Sequence, residues 1–202
     1  MSRVLNLPLA LTLIRLILAP CSIPFLIVHF TSYNSLFINS FLACYFVFFG
    51  LTDFFDGYFA RKFNQETILG AILDPLADKF LMYSALVALL AVGKIYYCWV
   101  LLFIGREFFV MGLRHIALEH NLSLRVCLSA KIKTCFQFLY ITVALLNPYQ
   151  AYGLQGAPYW NGIESCLLAT ALCLSLLSAY QYYQVVVAAY MLHAANNTSG
   201  RK

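Results

Sequence analysis

Asp53, Asp56, Asp74 and Asp78 are all the aspartates in a chain of 202 residues, and they fall within one stretch, DFFDGYFARKFNQETILGAILDPLAD, residues 53–78. The spacings are i, i+3 and i, i+4, so on helices each pair occupies one face. A short turn at about 62–72 can bring the two faces together. Four carboxylates at that distance repel one another, and one or more stays protonated unless cations are bound. Carboxylate oxygens with no His or Cys nearby suit a hard ion, Mg²⁺ or Mn²⁺, rather than zinc or copper. Two ions could share the four groups, the arrangement that activates both sides of an in-line phosphoryl displacement. Gly57 and Ala60 follow Asp56. Glycine inside a helix costs about 1 kcal/mol relative to Ala, and the missing side chain lets a ligand approach the backbone closely. Arg61 has the fork geometry for phosphate. Gly70 is expected in the turn, and Pro75 in the first turn of the next helix, where its missing N–H does no harm. Taken singly, any of these aspartates could equally be an ion relay or a helix cap. Four in fixed register with two glycines and an arginine are harder to explain that way.

The elements that must carry these residues are apolar. The chain is 62% hydrophobic and only 10% charged, and its mean hydropathy is +0.79. A soluble domain would need more polar surface to cover its core. Stretches of about 20 apolar residues recur, the length that spans a hydrocarbon core of roughly 30 Å. The fold class expected is all-α, a polytopic membrane protein. Six transmembrane helices are expected in one bundle, at roughly 10–30, 36–61, 73–92, 96–118, 129–147 and 163–192. Residues 1–9 read as a short surface segment and 193–202 as a cytoplasmic tail, with 1–202 a single domain. Arg15 interrupts the first apolar run and no small-residue cleavage site follows, so that run reads as a retained helix rather than a signal peptide.

The net charge of +5 comes from 13 Lys and Arg scattered over short segments between apolar runs. That pattern is a topology signal, not a nucleic-acid footprint. Arg3, Arg61, Lys62, Arg114, Arg125, Arg201 and Lys202 fall on one side of the six-helix arrangement, and the other side has Lys94 alone. Both termini are therefore expected in the cytoplasm, as in a multi-pass protein of the bacterial inner membrane. The seven cysteines include no C-x-x-C pair and read as small buried hydrophobes, not disulfides or a zinc site. His29 and His193 read as interfacial, and His115 and His120 as solvated.

With the phase and side of each helix assigned, the string Asp53-x-x-Asp56-Gly57-x-x-Ala60-Arg61, eight residues, then Gly70-x-x-x-Asp74-x-x-x-Asp78 resembles the signature of the CDP-alcohol phosphotransferases. Every position is present with its full spacing. The resemblance implies that fold, transfer of a CDP-linked phosphatidyl group to an alcohol, and release of CMP. It also implies that Asp53, Asp56 and Asp74 are metal ligands for Mg²⁺ (or Mn²⁺), with two ions expected. Asp78 matches the base that also approaches the metal site. Asp56, Gly57, Ala60, Arg61, Gly70 and Thr12 match the CDP-diacylglycerol-binding side, and a homodimer is implied.

NLPLALTLIR, ARKFNQETILGAILDPLADK, IGREFFVMGLR and SAKIKT are similar to segments of the family members that use glycerol 3-phosphate as acceptor. One position departs: Leu9 follows Asn6 and Pro8 where that branch has Asn, while Thr12 and Arg15 match. The charges themselves favour a phosphorylated acceptor. Arg106, Arg114, Lys131 and Lys133, on the fourth and fifth helices, form a basic group able to bind a dianionic phosphate. Ten helical residues precede Arg106 and Glu107 is adjacent, so a charge that deep needs a partner or a polar cavity. The expected partners are CDP-diacylglycerol, glycerol 3-phosphate and membrane lipid, with no nucleic acid. Within the family the alternative is a cardiolipin synthase or another acceptor alcohol. Outside it, the alternative is an ion-coupled transporter, which would show midplane charges and an internal repeat; neither is visible.

Overall fold

The chain folds into six α-helices, with no strand among the described residues. A computed structural model describes residues 7–31, 35–62, 68–119, 128–147 and 158–199. The helices are α1 (Leu7–Phe30), α2 (Leu36–Lys62), α3 (Ile68–Ala91), α4 (Tyr97–Glu119), α5 (Leu128–Leu146) and α6 (Pro158–Ser199). Each coincides with an expected apolar run, because long runs with few breakers satisfy their backbone internally only as helix.

The boundaries differ in three helices, and α1 begins at Leu7, inside the segment 1–9 expected to lie before it. α3 begins at Ile68 instead of 73, so Gly70 stands in its first turn and Pro75 in its interior. The turn expected at 62–72 therefore shrinks to the residues between Lys62 and Ile68, and Pro75 gives up a backbone bond to the Ala71 carbonyl. α6 begins at Pro158, a proline at the first helical position, where it loses no bond, and continues past the expected 192 to Ser199. The segment AANNTS contains neither Gly nor Pro, and Gly200 follows it as a natural stop.

Two compact units emerge: Met1–Tyr97 with Ile141–Glu164, and Cys98–Tyr140 with Ser165–Lys202. In the first unit α1, α2 and α3 pack on one another. Their buried stripes run at helical spacing: Ala19, Ile23 and Ile27 on α1, Leu42, Ala43 and Phe46 on α2, and Ala77, Leu81, Ala85 and Leu89 on α3. The α3 exit is a Schellman turn. Lys94 N–H donates to the Leu89 carbonyl at 2.9 Å and Gly93 N–H to Leu90 at 3.0 Å. Gly93 sits at φ 73°, left-handed backbone that glycine adopts without strain.

That turn delivers Lys94 to the far end of α5. Its ammonium donates to the carbonyls of Ala144 (2.9 Å) and Asn147 (2.7 Å), two acceptors left over where the helix ends. Asn39 Nδ2 reaches the same Asn147 carbonyl at 3.0 Å. Lys94, read from sequence only as the one cation of its side, is therefore the cap of α5.

In the second unit α4 meets α6 through Val110, Leu113 and Ala117 against Ala179, Tyr182 and Val186. Large apolar side chains cover much of the outer surface, among them Phe37, Phe41, Phe108, Leu177 and Met191. α6 carries the one span among the described residues long and apolar enough to cross a membrane, Tyr159–Met191, and only 28% of its apolar window is buried, unlike the core helix of a soluble protein. Shorter apolar helical segments cover Leu16–Phe30, Leu36–Thr52, Lys79–Ala91 and Ile132–Leu146. The cysteines correct one expectation. Cys21, Cys44, Cys98, Cys135, Cys166 and Cys173 are free, as expected, but exposed rather than buried. An apolar residue on a lipid-facing helix need not turn inward, because lipid is as apolar as the core. His29 is exposed and stacks on Phe25, with centroids 5.5 Å apart.

Candidate active site

The four aspartates lie on two helices that pack against each other, Asp53 and Asp56 on α2 and Asp74 and Asp78 on α3. Continuous helix through 53–56 and 74–78 preserves the i, i+3 and i, i+4 spacings that put each pair on one face. The side chains of Asp53, Asp56, Asp74 and Asp78, with those of Thr12, Arg15, Ala60, Arg61 and Lys131, lie outside the described residues, as do Gly57 and Gly70 beyond their place in α2 and α3. Among the described residues no group of three or more His, Cys, Asp or Glu side chains gathers to hold a metal. A donor set made only of carboxylates fits a hard divalent ion, and the two helices that carry these aspartates pack on each other.

The basic group is described in more detail, within the second unit. Arg106 occupies the middle of α4's buried face, between Phe103 and Val110, and is 8% exposed. A cation placed there must be paired or hydrogen-bonded, and it is held on three nitrogens. Nε donates to the Ser175 carbonyl at 2.9 Å. Nη2 donates to Ser178 Oγ and Nη1 to the Glu107 carboxylate. The Nε and Nη2 edge thus docks on one turn of α6, since Ser175 and Ser178 are three residues apart. Glu107 Oε1 also accepts from Lys133 Nζ of α5, so one carboxylate joins the two cations. Lys133 is 6% exposed. Guanidinium carries five N–H donors, so the three bonds to Ser175, Ser178 and Glu107 leave two of them for a ligand.

Arg106 and Lys133 are therefore brought together on one carboxylate, and the depth of Arg106 is answered by named partners. Arg114 is two turns further along α4 and exposed. Its Nη2 donates to the Tyr182 hydroxyl at 2.8 Å, and its Cζ lies 5.0 Å from the ring centroid. It shares no hydrogen bond or ion pair with Arg106 or Lys133 among the described residues.

Three features escaped the sequence reading. Glu107 is the bridge between the cations. Ser175, Ser178 and Tyr182 form a polar edge of α6, which the sequence reading took only as a spanning helix. Gln137, one turn beyond Lys133 on α5, is buried. The signal was available: polar residues at 175, 178 and 182 recur at helical spacing inside an apolar run.

Known proteins resemble this chain over most of its length. A model of the CDP-alcohol phosphatidyltransferase family matches residues 5–195. A Rickettsia felis protein named CDP-diacylglycerol–glycerol-3-phosphate 3-phosphatidyltransferase is 34% identical over 179 residues, covering 89% of this chain and 94% of that relative. A protein of the same name from Wigglesworthia glossinidia brevipalpis is 38% identical over 141 residues, 68% of this chain and 75% of its own length. Another from Pectobacterium atrosepticum is 33% identical over 186 residues, 88% of this chain and 92% of its own. Matched over nearly its whole length, and with every position of the aspartate signature in place, the chain belongs to the CDP-alcohol phosphatidyltransferase family.

Proposed function

We propose that this enzyme transfers the phosphatidyl group of CDP-diacylglycerol to glycerol 3-phosphate, giving phosphatidylglycerophosphate and CMP. The names of its relatives support that donor and that acceptor. The observation that carries the acceptor is the buried Arg106–Glu107–Lys133 group, two cations on one carboxylate with guanidinium N–H groups to spare. Serine or inositol would make no use of it.

Asp53, Asp56, Asp74 and Asp78 would hold Mg²⁺ or Mn²⁺, two ions in this reading, which would supply charge neutralisation for the diphosphate and the departing CMP. Arg61 holds the nucleotide phosphate, Gly57 and Ala60 leave room for the nucleotide, and Thr12 and Gly70 complete the donor side. Arg106, Lys133, Arg114 and Lys131 hold the acceptor's phosphate. Asp78 accepts the proton of the acceptor's primary hydroxyl. That oxygen bonds to the β-phosphorus as the bond from phosphorus to CMP breaks, in line and with no covalent enzyme intermediate. One membrane domain over 1–202 is proposed, with six spans, both termini and the active site facing the cytoplasm, and a homodimeric assembly. A lipid donor and a water-soluble acceptor can meet only at such an interface.

The test is to supply membranes containing the protein with CDP-diacylglycerol and Mg²⁺, then offer glycerol 3-phosphate, phosphatidylglycerol, serine and inositol phosphate in turn and follow CMP release. Release driven by glycerol 3-phosphate is expected. Release driven by phosphatidylglycerol instead would make the protein a cardiolipin synthase.

A further inference from the structure

The interior of the second unit holds two polar groups left unmatched among the described residues. Gln137, on α5, is 4% exposed, yet its Nε2 meets no hydrogen-bond acceptor among the described residues. Ser175 Oγ, on α6, is likewise buried and unmatched. A buried amide N–H₂ without a partner costs about 1–3 kcal/mol, and native proteins seldom tolerate it without a reason. Both groups stand beside cations. Gln137 is one turn beyond Lys133 on the buried face of α5. Ser175 holds Arg106 Nε with its own carbonyl at 2.9 Å. An unmatched amide N–H₂ next to a lysine and an arginine with N–H groups to spare suits an oxyanion, because these donors outnumber the acceptors that the Glu107 carboxylate supplies to them.

We propose that Gln137 is a specificity-determining residue whose Nε2 donates to a phosphate oxygen of the acceptor. The proposal rests on the reading of Arg106 and Lys133 as the acceptor-phosphate group. Lysine supplies a point charge with little directional preference, and Arg106 is fixed by α6 and Glu107. An amide at a set position adds what they lack, a neutral donor that rewards one placement of the phosphate. An uncharged acceptor leaves the Gln137 amide unmatched, and such a vacant buried donor penalises the wrong substrate more than the right one is rewarded.

The experiment uses the purified full chain in detergent and the variant Gln137→Leu, similar in volume and without the donor. Unfolding temperature is measured with and without inorganic phosphate. KM is measured for glycerol 3-phosphate and for CDP-diacylglycerol. The variant should melt at or above the wild type without phosphate, because an unmatched buried amide has been removed. Its upward shift with phosphate should be largely lost, and KM for glycerol 3-phosphate should rise roughly tenfold or more. KM for CDP-diacylglycerol should not move. Gln137→Glu, which puts a carboxylate where the donor was, should be worse still for both acceptor readouts, and it decides the matter if the leucine variant does not accumulate. A lower melting temperature with both KM values unchanged would assign Gln137 a packing role and overturn the proposal. A raised acceptor KM with an undiminished phosphate shift would move the contact off the phosphate and overturn it too. Wild type that releases no CMP with glycerol 3-phosphate would refute the proposed function instead. The phosphate shift, compared between wild type and variant, would still decide Gln137, and its absence from the wild type would overturn the assignment.

Discussion

Replacing Glu107 with Gln removes the charge that joins Arg106 to Lys133 while keeping the volume. The three side chains are 5%, 15% and 7% exposed for Arg106, Glu107 and Lys133, so solvent can do little to screen two cations deprived of their shared carboxylate. Removing one partner of a buried ion pair costs about 3–5 kcal/mol. For a chain of this length that corresponds to about 6–20 °C in melting temperature, at roughly 2–4 °C per kcal/mol. The assay is thermal unfolding in detergent, followed by intrinsic fluorescence or by retention of a monodisperse peak. Adding Lys133→Met to Glu107→Gln should recover part of the loss, because the second cation no longer needs a counter-charge. A single variant that melts within about 1 °C of wild type, or a double variant no more stable than the single, would refute the bridging role.

Further expectations concern function and pH. Asp78→Asn should abolish transfer while the protein remains folded; substantial activity would remove Asp78 from the base role. Arg106→Ala and Lys131→Ala should raise KM for the acceptor much more than for CDP-diacylglycerol, and equal effects on both would remove these residues from the phosphate site. Burial lowers the Lys94 ammonium to about 8 against the ordinary 10.5, and the attraction of Glu164 offsets this only in part. The folded protein therefore binds fewer protons than the unfolded chain between these values, so Lys94 adds stability as pH rises from about 8 to 10.5. Lys94→Met should flatten that part of the stability profile, and an unchanged slope would count against it.

What the sequence made legible was what helix periodicity and spacing carry. Six helices followed from six apolar runs, and the aspartate signature with its spacing pointed to the family whose model matches the chain. The start of α3 was misplaced because Gly70 was read as part of the turn and Pro75 as part of the first turn of the helix. The structure holds both inside the helix, where packing on α1 and α2 outweighs local propensity. The cysteines were read as buried from a rule that holds for soluble cores and loses force where the outer surface is apolar. The depth of Arg106 was legible, since a cation ten residues into an apolar helix must have partners. Which partners was not, because Ser175 and Ser178 lie about 70 residues away and their meaning depends on how α6 faces α4. Gln137 was passed over for the same reason: burial without a partner belongs to the folded chain and not to any short motif.

The central claim is the reaction itself, and product identification tests it most directly. Purified protein supplied with CDP-diacylglycerol, glycerol 3-phosphate and Mg²⁺ should form phosphatidylglycerophosphate and CMP in equal amounts, detected by mass spectrometry, and neither product when the divalent ion is chelated. CMP release that does not depend on glycerol 3-phosphate, or no phosphatidylglycerophosphate at all, would contradict it.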